Sequence, residues 1–173
     1  METQTRRPRM SRDDKPKKLS LVSRDIEIFK LLNRYRFQRS SFINEHVGGH
    51  PIRLRHRLRD LYDSKYLARP EQQLQYVNAR YMPMIYELDI KGERLLASYG
   101  HYSPFTHVTV RPTRNAPHHQ FAHDLMVCDI LSSIELGVKQ NPKLRFISAH
   151  EILTKAPKET QQSQILGRIS MGS

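Results

Sequence analysis

A chain of 173 residues with 38% hydrophobic content is long enough for one ordinary domain, or for two small ones with modest cores, which excludes disorder throughout. Its 29 lysines and arginines against 17 acidic residues give a formal net charge of +12, which argues against a small-molecule substrate and for a polyanionic partner, nucleic acid ahead of an anionic membrane surface. No apolar run approaches the roughly 18 to 20 residues that cross a bilayer, and the single cysteine, Cys128, can form neither an internal disulfide nor a Cys-rich zinc site; the expected compartment is the cytosol.

Residues 1–18 hold Arg6, Arg7, Arg9, Arg12, Lys15, Lys17 and Lys18 with almost no aliphatic side chains. Such a segment buries too little to offset its ordering entropy, so it reads as a flexible basic arm. It is either a solvated tail or an arm that gains phosphate contacts on DNA. Ser23 as cap, Asp25 in the first turn, and Ile26, Phe29 and Leu32 or Asn33 at helical spacing predict a first helix ending near Arg34. Tyr35 and Phe37 alternate with Arg36 and Gln38 as a short extended piece. Ser40 or Ser41 then caps a brief helix carrying Phe42, Ile43 and Val47, which Gly48 and Gly49 end.

Pro51 suits the first turn of a third helix, within which four arginines fall in nine residues, from Pro51 to Arg59. On a wheel of about 100° per residue, Leu54, Leu58 and Leu61 share one face, Arg53, His56 and Arg59 lie opposite, and Arg55 and Arg57 flank them. Only Asp60 and Asp63 are nearby carboxylates, so most of this guanidinium charge is expected to lack an internal partner; a solvated helix face is the alternative. Tyr66 to Ala68 read as a strand and Met84 to Leu88 as its return, with a polar loop between them that includes Gln72, Gln73, Gln75 and Asn78. Asp89 caps a fourth helix with Leu95 and Leu96, ending near Gly100.

Three helices followed by a hairpin define a winged helix-turn-helix domain over residues 19–100. Its expected DNA contacts are Arg53, Arg55, His56, Arg57 and Arg59 on the third helix, and Arg69 and Arg80 in the hairpin loop. Arg36, Arg39 and Ser40 join them at the start of the second helix, where a hydroxyl and open N–H groups suit a phosphate.

The following portion, residues 101–157, opens on a strand-like alternation of Val108 and Val110. A long helix then runs from about Ala116 to Leu136, with Asn115 and Pro117 at its start and Gly137 at its end, and "LRFISAHEIL" supplies a strand through Phe146 and Ile147. Residues 158–173 are a polar tail. Phe121, Leu125, Met126, Val127, Ile130, Leu131 and Ile134 surround nearly the whole circumference of the long helix. A helix apolar on all sides needs cover on several, so a homodimer is expected, or else a longer C-terminal portion that has been lost. His119 and His123 share a face of this helix, but the glutamate of an "HExxH" site and a third ligand are missing. No metal, cofactor or catalytic residue is therefore assigned.

Taken in order and spacing, "LVSRDIEIFKLLNRYRF", "RLRHRLRDLYDSKYLAR", "YELDIKGERLL" and "HDLMVCDIL" resemble the replication-relaxation proteins of plasmids, integrated elements and phages, over about Leu19 to Ala156. The resemblance implies a winged-helix DNA-binding protein acting in replication or its control. In longer relatives the segment resembling "HQFAHDLMVCDILSSIELG" leads into a nuclease-like α/β portion with acidic residues on later strands. Here "KETQQSQILGRISMGS" offers no such cluster, so the resemblance implies a small, truncated nuclease-like portion without a two-metal centre. The expected molecule is α+β and mainly helical, is not an enzyme, and binds double-stranded DNA with sequence preference in replication control or transcriptional regulation. A metal-dependent nuclease or nicking protein using the C-terminal portion is the alternative, and an interaction adaptor whose charge only aids solubility is a third.

Overall fold

A computed structural model describes residues 7–101 and 118–160. The chain is mixed α+β and mainly helical. Helix α1 spans Ser23–Tyr35, with Val22 rather than Ser23 as its cap residue. The Asp25 carboxylate reaches back to accept the Val22 N–H at 2.9 Å, satisfying one of the donors that a helix start leaves open. Ile28, Phe29, Leu31 and Leu32 are buried. Arg36, at φ 66°, stops the helix and directs the chain into β1, Gln38–Arg39.

Helix α2, Ser40–Val47, follows without a break and has no side-chain cap; instead the Ser40 N–H donates to the Met84 carbonyl at 2.8 Å. Gly48 and Gly49, at φ 68° and 97°, make the turn into α3, Pro51–Asp63, which buries Leu54, Leu58 and Leu61 as the wheel predicts.

Strands β2, Leu67–Ala68, and β3, Ile85–Leu88, complete a three-stranded antiparallel sheet of order β1-β3-β2. Gln38 pairs with Tyr86 and Arg39 with Ile85 on one side of β3, and Leu67 with Leu88 and Ala68 with Glu87 on the other. The connection between β2 and β3 is more structured than the polar loop expected there. A 3₁₀ turn occupies Glu71–Gln75, and Gln72 and Gln73 are buried. The Gln73 amide donates to the Pro70 and Ile85 carbonyls at 2.8 and 3.2 Å and its oxygen accepts the Ile85 N–H at 2.9 Å. A side chain thus supplies the rung that a neighbouring strand would otherwise provide.

Helix α4, Ile90–Ser98, starts at Asp89, whose side chain accepts the Ile90 N–H at 2.8 Å. Gly92 permits its close packing, because a Cβ there would meet the Tyr66 carbonyl oxygen at 2.5 Å. Helix α5, His118–Lys139, continues through Gly137 instead of ending there, since an exposed glycine weakens a helix by about 1 kcal/mol without breaking it. It packs on α2, β1 and the 3₁₀ turn, adding Phe121, Leu125 and Cys128 to the core. Phe121 meets Phe37 edge-on at 5.2 Å between ring centroids.

The strand expected through Phe146 and Ile147 does not form. Residues 144–148 lack regular structure and lead into a short helix, α6, Ala149–Thr154. Ser148 accepts the Glu151 N–H at 3.2 Å and so starts a helix where the pattern suggested a strand. The expected strand at Val108 and Val110, the helix opening at Asn115 to Pro117, residues 1–6 and most of the polar tail lie outside the described residues.

Candidate nucleic-acid interface

Because α3 buries its leucine seam, the opposite face, built from Ile52, Arg55, His56 and Arg59, looks outward. It forms one wall of a groove of about 1270 Å³. The start of α2 contributes Ser40, Ser41 and Asn44, and the far wall is the segment from Arg80 to Met84 ahead of β3. Arg7, Arg9, Arg69 and Tyr86 line it as well, as does the carboxylate of Glu45. Of the ten residues that the sequence nominates, this groove gathers Ser40, Arg55, His56, Arg59, Arg69 and Arg80 from three separate stretches of chain. Arg55, His56 and Arg80 are exposed.

The other four lie elsewhere. Arg53 is exposed but does not line the groove. Arg57, expected to lack an internal partner, is held by Asp25 of α1 through Nε at 2.9 Å and Nη2 at 2.5 Å, and also donates to the Ser20 carbonyl at 2.7 Å. Its counter-charge comes from another helix, which the sequence around α3 does not show. Arg36 is buried, stacks over the Phe37 ring at 4.6 Å and lies 3.5 Å from Asp124; burial pulls its pKa below the ordinary value. Arg39 Nε bonds Asp129 at 2.8 Å. These two arginines fasten α5 to the sheet rather than facing outward.

Charge inside the groove is unbalanced. Arg69 is 7% exposed, stacks over the Tyr62 and Tyr86 rings at 4.0 and 5.1 Å, and donates to the Tyr86 hydroxyl at 2.9 Å. Burial, then the neighbouring Arg69 and Arg7 guanidiniums, hold the Arg59 pKa below its ordinary value. Asp63 is the carboxylate shared by Arg7, at 2.5 Å, and Arg59, at 3.6 Å. Six guanidiniums, of Arg7, Arg9, Arg55, Arg59, Arg69 and Arg80, line the groove with a single lining carboxylate among the described residues, Glu45. Asp13 also pairs with Arg7, at 2.9 Å, and the remaining excess of positive charge favours a further anion.

The model of the replication-relaxation family matches residues 29–158, from α1 through α6. The chain belongs to the replication-relaxation family. Membership points to a role in the replication of plasmids or other mobile elements. No curated protein and no solved structure matches the chain.

Sequence reasoning missed Arg7, Arg9, Asn44 and Tyr81 as groove residues of this replication-relaxation protein. For Arg7 and Arg9 the available signal was a basic arm, which indicates charge but not position. Tyr81, 84% exposed on the far wall, was legible only as a large aromatic in a polar loop. Among the described residues no helix is long and apolar enough to cross a membrane, and no group of three or more His, Cys, Asp or Glu is placed to hold a metal ion. His123 is largely exposed and sits 3.5 Å from Asp124.

The same family member joins α5 to α1 and α2 through a polar cluster. Glu135 accepts Arg34 Nη1 on both oxygens at 2.8 Å, Lys139 at 3.1 Å, and the Tyr35 hydroxyl. His46 bonds Ser132 at 2.7 Å. Burial alone would raise the Glu135 pKa, but hydrogen bonds from Tyr35, Arg34 and Lys139 outweigh it and hold the group at about 2. Burial, with the Lys139 ammonium adding to it, pulls His46 from 6.5 to about 4.

Both shifts make this contact acid-sensitive. Below pH 6.5 the unfolded chain binds a proton that folded His46 refuses, so its contribution is lost as pH falls from 6.5 to 4. The Glu135 contribution, full above 4.5, is lost as pH falls from there towards 2. Thermal melts should therefore show a falling midpoint across the first window, and His46→Gln should flatten that part of the profile. A midpoint independent of pH in that window would exclude His46 as its source.

Proposed function

We propose that this protein is a winged-helix reader of double-stranded DNA, acting in the replication control of a mobile element or in transcription at its DNA. The observation that carries this reading is the groove, where α3, the start of α2 and the β2–β3 connection converge with a surplus of guanidinium groups. The order α1-β1-α2-α3-β2-β3 and the sheet order β1-β3-β2 support this reading, in which α3 is the recognition helix and residues 76–84 are the wing. An α-helix of about 10 to 12 Å diameter fits a major groove about 12 Å wide. Arg55 and His56 then face base edges, Arg59 and Ser40 face phosphates, and Arg80 approaches the backbone beside them.

Titration of random and selected duplexes at several salt concentrations tests the reading. Two cationic phosphate contacts, from Arg59 and Arg80, predict a slope of log K against log salt of about −2. Absent or salt-insensitive binding would sink it and favour an interaction adaptor. No catalytic step is needed. The nuclease alternative is weakened by the state of the acids on α5: Asp124, Asp129 and Glu135 each face an arginine.

We further propose that the protein is a homodimer. One face of α5 docks on the chain, whereas Met126, Ile130 and Ile134 remain 53%, 52% and 48% exposed, with Val127 and Leu131 beside them. Burying one such side chain contributes about 1.5 to 3 kcal/mol, so several together favour a second copy over water. A two-fold dimer would set two α3 helices on half-sites roughly 34 to 36 Å apart. Ile130→Asp with Ile134→Asp should give a folded monomer that binds single half-sites weakly, as read by sedimentation and duplex titration. Wild-type protein sedimenting as a monomer at tens of micromolar would defeat the proposal.

A further inference from the structure

We infer that Arg9 is a positioning residue, a strap that holds the β2–β3 loop against α3 and so sets the shape of the groove. β3 begins only at Ile85, so no ladder holds the preceding loop that carries Arg80 and Tyr81. The loop's own bonds are short-range, from Ala79 N–H to Tyr76, and from Tyr81 and Met82 N–H to Asn78. Its two ends are fastened, Tyr76 beside Phe121 and the Met84 carbonyl to the Ser40 N–H; between them, residues 79–82 are tied to the rest of the molecule by the Arg9 guanidinium. Nη1 donates to the Ala79 and Arg80 carbonyls at 2.6 and 3.0 Å, and Nη2 to the Met82 carbonyl at 3.1 Å.

The strap is anchored on both sides of Arg9. Before it, Arg7 pairs with Asp63 at 2.5 Å. After it, the Tyr62 hydroxyl donates to the Met10 carbonyl at 2.5 Å, and Arg12 pairs with Asp89 at 2.7 Å while lying 4.2 Å over the Tyr62 ring. The Arg9 carbonyl itself accepts the Arg69 guanidinium. The arm expected to be flexible is therefore bonded, over Arg7 to Asp13, to the end of α3 and to the wing. Lys15, Lys17 and Lys18 stay exposed.

The guanidinium reaches the three carbonyls from two separate nitrogens held in one plane, Nη1 serving two and Nη2 the third. A lysine offers its three N–H groups from a single nitrogen that cannot occupy both positions. Charge-conserving substitution therefore separates positioning from direct phosphate contact. The inference rests on the DNA-binding reading for its consequence but not for its geometry, so two measurements on the full chain carry the test. Amide hydrogen exchange over residues 77–83, without DNA, should rise at least roughly tenfold in both Arg9→Ala and Arg9→Lys, as expected for loss of a charge-assisted bond. Exchange at Leu58 in the core of α3 should stay unchanged and report an intact fold. Duplex affinity should fall alike in both variants, whereas Lys17→Ala with Lys18→Ala should leave loop exchange at its wild-type value. Wild-type loop exchange in Arg9→Ala, or Arg9→Lys matching wild type in exchange and affinity, overturns the inference. Wild-type protein that binds no duplex overturns the DNA reading instead, and the exchange measurement still decides the strap.

Discussion

Arg55→Ala combined with Arg80→Ala is expected to weaken duplex binding by roughly 30- to 20,000-fold while leaving the fold intact, since each good arginine contact is worth about 1 to 3 kcal/mol. The two side chains line one groove from α3 and from the β2–β3 connection, and both are exposed, so truncating them removes charge without opening a cavity. Arg53→Ala is the informative control. It lies two residues from Arg55 on the same helix but outside the groove, and its loss should change affinity no more than roughly threefold, as for a distant surface charge. Anisotropy titrations at one fixed salt concentration, with circular dichroism as the check on folding, give the comparison. If Arg53→Ala cost as much as the double variant, DNA would lie along the other flank of α3, and the groove would not be the interface.

Arg57→Ala is expected to act on stability instead. Asp25 is fully buried, and its carboxylate is matched by the Arg57 guanidinium and capped onto the Val22 N–H. Removing one partner of a buried pair leaves the other charge without compensation and typically costs about 3 to 5 kcal/mol, which is a large fraction of a small domain's stability. The denaturant midpoint should fall accordingly. Asp25→Ala introduced on top of Arg57→Ala should cost less than the sum of the two single changes, because each single variant already loses the pair. At temperatures where Arg57→Ala remains folded, its duplex affinity should be close to wild type. Wild-type stability with lost DNA affinity would return Arg57 to the interface.

These two experiments separate arginines that look alike in the primary structure, and the reason is the range over which each kind of information acts. The apolar seam of Leu54, Leu58 and Leu61, the start of α3 at Pro51, the cap at Asp89 and the glycine turn after α2 are local matters. Helical periodicity and backbone preferences act over a few residues, so they can be read directly from the chain, as can the family through the order of its segments. Net charge is likewise a sum over residues and needs no fold. The partner of a given charge is different. Arg57 is held by Asp25 of α1, Arg36 and Arg39 face Asp124 and Asp129 of α5, and Arg9 closes on carbonyls of the β2–β3 connection, pairings across many intervening residues that exist only once the helices and sheet have packed. The same holds for Phe146 and Ile147, where an extended pattern has no described strand beside it, and for α5, whose apolar residues divide into a docked face and an exposed one only when α2 and β1 cover one side. Local chemistry determines which elements form. Packing determines which charges and faces are left to meet a partner, because ion pairing and burial depend on distance in space rather than separation along the chain.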